Sequence, residues 1–222
     1  MNKINSSNAA LALLALLAMV MATTRFSPLA VVAHLQDASW AVVFVAGFYL
    51  ASQWRLAFPA LLAEAVLIDY IAIRYLGVSN YCITPAYWFL VPSYATLWVG
   101  GSWLRKHHSI NLRGLAALTG SVAVAGSLCL FISNASFYWI GGRVADRTWD
   151  GWFTNFSIWY WPFLRVFLAY VSVAALIHVM VVQRHKFSPQ GISESELIFP
   201  QHRLTGALAP TRRRAPGNRC RS

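Results

Sequence analysis

Long apolar runs separated by short polar breaks set the pattern of this chain. Six runs stand out, at about 8–24, 38–52, 56–77, 86–104, 115–140 and 158–183. A bilayer core of about 30 Å needs roughly 20 apolar residues in helical form. The pattern therefore predicts an all-α integral membrane protein with six transmembrane helices. The first run is the weakest, with its apolar core at Leu11 to Ala22. Lys3, that core and Val20-Met21-Ala22 also fit a signal peptide with a small-residue cleavage site, which would leave five spans. The breaks divide the chain into a short N-terminus (1–7), a membrane domain (8–183) and a basic tail (184–222).

Composition agrees. Of the 222 residues, 58% are hydrophobic and 11% charged, whereas soluble domains carry about 25% charged residues. The net charge of +11 does not describe a nucleic-acid groove, because eight of the 18 lysines and arginines follow Val182. The charges instead orient the chain. Lys3, Arg55, Arg105, Lys106, Arg113, Arg184, Lys186 and the tail fall on one side, and Arg25, Arg74, Arg143 and Arg147 on the other. Cytoplasmic loops carry the Lys/Arg excess, so both termini are predicted to be cytoplasmic. The segments Arg25–Asp37, Gly77–Pro85 and Gly141–Ser157 then face outward. The tail has the composition of a disordered segment. Arg212-Arg213-Arg214 can rest on anionic headgroups or simply be solvated.

Ionisable residues within the spans come next, since they are costly in lipid and face a cavity or a partner. Asp69 lies about 12 Å below the outer end of span three at the helical rise, and Arg165 about as deep in span six. Matched depth predicts an Asp69–Arg165 pair, either as a helix-packing contact or as the polar floor of an outward pocket. Glu64 is deeper, without an evident partner. His178, near the inner face, reads as a satisfied core histidine, and His107-His108 as part of a solvated basic loop. His34 shares the outer side with Asp37, three residues on, and would share a helical face with it.

The outer half is also rich in rings, notably Phe137, Tyr138, Trp139, Trp149, Trp152, Phe156, Tyr160, Tyr81, Tyr87 and Trp88. An interfacial aromatic belt explains such rings. Their excess over the inner edge also suits a large, flat, partly apolar ligand taken from outside.

Cys82 occupies the second outward break. Cys82, Cys129 and Cys220 fall at different predicted depths, so disulfides within the chain are disfavoured. Four roles compete for Cys82: an inert edge residue, a lipidation site, a redox thiol and a ligand for a soft or borderline metal. One cysteine cannot hold a free ion, and no Cys/His cluster has metal-ligand spacing. It would suffice as an axial ligand for a metal already held in a macrocycle.

Asp69, the stretch Gly77-Val78-Ser79-Asn80-Tyr81-Cys82-Ile83-Thr84-Pro85-Ala86-Tyr87, and Ser136-Phe137-Tyr138-Trp139 on a six-span plan resemble the BtuM-type cobalamin uptake proteins. These are small bacterial membrane proteins similar to the S-components of energy-coupling-factor transporters. The resemblance covers about residues 8–183. It implies a cobalamin or related corrinoid substrate, bound base-off, with Cys82 as the cobalt ligand. It also implies removal of cyanide from cyanocobalamin, placement in the bacterial cytoplasmic (inner) membrane, and action with an energising module or alone. Asp69, Tyr87 and, in the first outer loop, His34 fall where the family has pocket residues. Ala18 and Ala22 fit the small-residue motif by which S-components meet a partner helix. No P-loop is present. Two other classes compete: a haem or electron-transfer membrane protein using His34 or His178, and a sensory or scaffold domain with the tail as its output.

Overall fold

The computed structural model describes residues 3–25 and 36–187. Among these residues six α-helices form, where six apolar runs are expected: α1 (Lys3–Thr24), α2 (Ser39–Tyr49), α3 (Trp54–Tyr75), α4 (Leu90–His107), α5 (Leu112–Ile140) and α6 (Trp149–Phe187). There is no strand among the described residues. Three stretches are long and apolar enough to cross a membrane: Ala51–Tyr75, Leu112–Ile140 and Trp149–Arg184. The apolar parts of α1 and α2, Asn8–Thr24 and Ser39–Tyr49, are shorter than that.

Two boundaries differ from the hydropathy pattern for local reasons. Pro85 steers Thr84 into extended backbone, at φ −137° and ψ 172°. The chain then passes through a 3₁₀ turn, Pro85–Phe89, before α4 begins at Leu90. At the other disputed end, Thr148 Oγ1 accepts a hydrogen bond from Gly151 N at 3.1 Å. Asp150 occupies the first turn of α6. This cap starts α6 nine residues before the apolar run, because capping acts on backbone donors irrespective of hydropathy.

Residues 1–180 form one compact unit, and the described part of the second, residues 181–187, ends α6. Within the first unit, α2 against α4 and α4 against α5 are the most extensive helix pairs. They approach closely enough for side chains to bond facing backbone: Ser102 Oγ to Gly47 O at 3.0 Å, and Ser121 Oγ to Gly100 O at 2.8 Å. Small residues permit such close approach of helix backbones. The core runs through Met21, Phe44, Leu61, Leu97, Val122 and Phe167, so α1 to α6 all contribute. Phe44 and Phe167 meet edge to face at 5.4 Å.

Short connections make successive helices alternate in direction. One end of the bundle therefore collects the ends of α1, α3 and α5 and the starts of α2 and α4. The other collects the end of α2, the α4–α5 turn and the last turns of α6 within the first unit.

Candidate functional site

Arg25 organises the first of these ends. It follows α1 directly, with its backbone N–H still bonded to Met21 O at 3.0 Å. Its guanidinium forks onto Asp69 of α3: Nε donates to Oδ1 and Nη2 to Oδ2, each at 2.7 Å. Planar guanidinium and carboxylate groups match in this bidentate arrangement. Nη1 lies 3.0 Å from each of Asp37 Oδ2, Ser39 Oγ and Tyr94 Oη. Asp37 also accepts from Ser39 N at 2.8 Å and from the Ser39 hydroxyl, at the first residue of α2. Tyr87 Oη donates to Asp69 Oδ2 at 2.7 Å.

Arg25 and Asp69 are buried, at 8% and 7% exposure. Burial alone lowers the Arg25 pKa, but Tyr94, the Asp69 hydrogen bond, Asp37 and the Asp69 charge outweigh it and raise it well above the ordinary arginine value. Arg25 therefore stays charged.

This cluster forms one wall of a cavity of about 380 Å³. A second wall is the loop after α3. Gly77 leaves the helix at φ +68°, a conformation that side-chain-bearing residues rarely adopt. Val78 N bonds back to Ala72 O at 3.2 Å. The chain then enters the 3₁₀ turn Asn80–Cys82, capped by Ser79 Oγ, which accepts from Tyr81 N at 3.2 Å. Ser79, Tyr81 and Ile83 line the cavity, so Cys82 lies between two lining residues. Phe137 of α5 closes the far side, 5.6 Å from the Tyr81 ring. Arg143 lies over the Tyr81 ring, 5.1 Å from its centroid, and its Nε donates to Tyr81 O at 3.2 Å.

The structure brings Asp69 and Tyr87 together on one cavity and sets the Cys82 backbone turn beside them. The expected Asp69–Arg165 pair does not form: Asp69 is held by Arg25, while Arg165 is exposed on α6 and does not line the cavity. The depth comparison treated Arg25 as a loop charge. A long side chain leaving a helix end reaches inward, so Arg25 and Asp69 match without sharing a depth. His34 lies outside the described residues. Most of the tryptophans are also not cavity walls. Trp139, Trp149, Trp152, Phe156 and Tyr160 form a chain of ring contacts between α5 and α6, at 4.9–6.1 Å. Trp149 is 74% exposed, as a belt residue would be. The cavity rings are Tyr81, Tyr87, Phe89 and Phe137.

Chemically, the site offers a charged, hydrogen-bonded floor under aromatic and aliphatic walls. It belongs to an all-helical protein with three helices able to cross a bilayer. Compared with known proteins, the chain matches no protein-family model and no curated protein.

Proposed function

We propose that this protein binds cobalamin or a close corrinoid and takes it up across the bacterial cytoplasmic membrane. In this reading all six helices span, both termini are cytoplasmic, and the Arg25–Asp69 end faces outward. The observation that carries it is the placement of the Asn80–Cys82 turn on the same cavity as Asp69 and Tyr87. Those residues also carry the sequence resemblance to BtuM-type proteins. Leu17 and Met21 in the core, and Arg25 in the polar cluster, support a first helix that is retained as a span.

Cys82 would bind cobalt as thiolate. When it replaces cyanide, a Co–S bond forms as the Co–C bond breaks. Cyanide then leaves with its electron pair and takes up a proton, while cobalt keeps its oxidation state. A cavity of about 380 Å³ holds part of a corrinoid. The macrocycle would lie across the mouth, with Tyr81 and Phe137 against its apolar face. The Asp69–Tyr87 and Asp37 groups would meet its amide side chains. Any ATP-driven step would come from a separate energising module.

The test is the visible spectrum of the purified protein with cyanocobalamin. Base-off, thiolate-ligated cobalt is expected in the wild type and not in Cys82→Ala. A variant with wild-type spectrum and affinity would remove Cys82 from the mechanism.

A further inference from the structure

The opposite end of the bundle holds a second polar cluster, built from residues the sequence reading kept apart. His178 of α6 is hydrogen-bonded, as a core histidine should be, but its partner is His108, which was expected to be solvated. Their Nε2 atoms lie 3.1 Å apart across 70 positions of sequence. The rings are nearly perpendicular, at 88°, with centroids 4.8 Å apart. A linear N–H···N bond of that length between head-on rings would hold the centroids about 5.4 Å apart. Lone pairs converging on a point about 2.05 Å from each nitrogen, the zinc–imidazole distance, bring them to about 4.8 Å with an angle near ~98° at that point.

The surroundings fix both rings. Tyr49 Oη lies 2.6 Å from His178 Nδ1. An Nδ1–H donating to that oxygen leaves the Nε2 lone pair free, the usual outer-shell arrangement of a metal-bound histidine. Phe48 packs edge to face against both imidazoles, at 5.5 and 5.7 Å. His108 is set by the α4–α5 turn. There Asn111 Oδ1 accepts from Ser109 Oγ at 2.7 Å and from Gly114 N at 3.0 Å. Gly114 lets this turn lie on α5: a Cβ there would stand 1.7 Å from Ser109 O.

We propose that His108 and His178 form a two-histidine clip for a borderline first-row divalent cation of the zinc or copper type, which imidazole nitrogen favours. Among the described residues no third His, Cys, Asp or Glu joins them. The remaining coordination positions are therefore open to water or an external ligand. The adjoining cavity, about 440 Å³ and mainly apolar, gives that ligand room, with Ser109 and Asn111 on its wall. Arg105 Nη1, 3.5 Å from Tyr49 O, adds positive charge nearby and predicts an exchangeable rather than a permanent ion. Bound metal would tie the α4–α5 turn to α6. Along α4, His108 lies 14 residues, about 21 Å at the helical rise, beyond Tyr94, which bonds Arg25.

The experiment is a zinc titration of the full-length, untagged, chelator-stripped protein in detergent, with copper(II) electron paramagnetic resonance as the coordination readout. One equivalent is expected to bind, with nitrogen splitting from two imidazoles. His108→Ala and His178→Gln should each lose more than ~10-fold in affinity and show one fewer nitrogen, and Tyr49→Phe should lose about 10-fold. His107→Ala should bind as wild type, because that ring instead stacks on Trp103 at 4.2 Å. Elution volume and helical content identify any variant that has misfolded, and Tyr49→Phe keeps both ligands as a second test. The proposal is overturned if the wild type binds no equimolar zinc, if His108→Ala and His178→Gln bind as wild type does, or if His107→Ala is equally impaired.

Discussion

Arg25 and Asp69, 44 positions apart, meet through two parallel hydrogen bonds of 2.7 Å in a site where both are buried. The contact joins the end of α1 to α3. Through Asp37 and Tyr94 it also reaches the start of α2 and α4. Removing Arg25 strands the buried Asp69 side chain, whereas removing Asp69 leaves Arg25 still bonded to Asp37. Arg25→Met should therefore destabilise the protein by about 3–5 kcal/mol, Asp69→Leu by less, and the double apolar replacement should recover most of the Arg25→Met loss. Thermal unfolding in detergent across the four-member cycle checks this. Equal, additive losses would mean that the pair does not act as a unit.

Arg165 provides the contrast. It is exposed on α6 and outside the cavity, so Arg165→Ala should change stability by no more than about 0.5 kcal/mol. Running it beside Arg25→Met on one melting instrument distinguishes the observed pair from the one that matched depth alone would select. A large loss for Arg165→Ala would point to a role that the cavity geometry does not contain.

Tyr87→Phe deletes a single hydroxyl that donates to Asp69 at 2.7 Å. A hydrogen bond to a charged group contributes about 1.5–3 kcal/mol. Under the corrinoid reading, affinity should fall roughly 10- to 100-fold, while the cobalt spectrum keeps its thiolate character because Cys82 is untouched. Equilibrium binding with spectral readout measures both at once. Unchanged affinity would place the ligand away from the Asp69–Tyr87 wall.

Growth separates uptake from mere binding. In a strain lacking its own corrinoid importer, the wild-type chain should restore corrinoid-dependent growth and Cys82→Ser should not. Deleting residues 188–222 should leave growth largely intact under the uptake reading. A sensory or scaffold protein using the tail as its output would lose function on that deletion. Membrane abundance of each variant, measured by immunoblot, keeps the comparison fair.

Much of the local structure was legible. Six apolar runs became six helices, and Asp69, Tyr87 and the Cys82 turn came to one end, because helix direction alternates across short connections. The early start of α6 was also within reach. Thr148, two residues ahead of Asp150, is a cap signature that a hydropathy window passes over. Pro85 similarly announced that α4 could not begin as an ordinary helix.

Partner choice was not legible. Asp69 matches Arg165 in linear depth, yet the side chain that holds it is Arg25, just beyond α1. His108 and His178 read as a loop residue and an isolated core residue, yet their nitrogens stand 3.1 Å apart. Apolar run length specifies a helix and its extent, because backbone hydrogen bonds close within each segment and the side chains need only suit their surroundings. Which charges and imidazoles meet depends on the lateral order and rotation of those helices. Those are decided by packing between surfaces far apart in sequence, such as Phe44 on Phe167 and the Ser109 turn over Gly114. The chain by itself therefore determined the helices and the end of the bundle at which the polar residues gather. Only the tertiary structure decided that Arg25 holds Asp69 and that His178 faces His108.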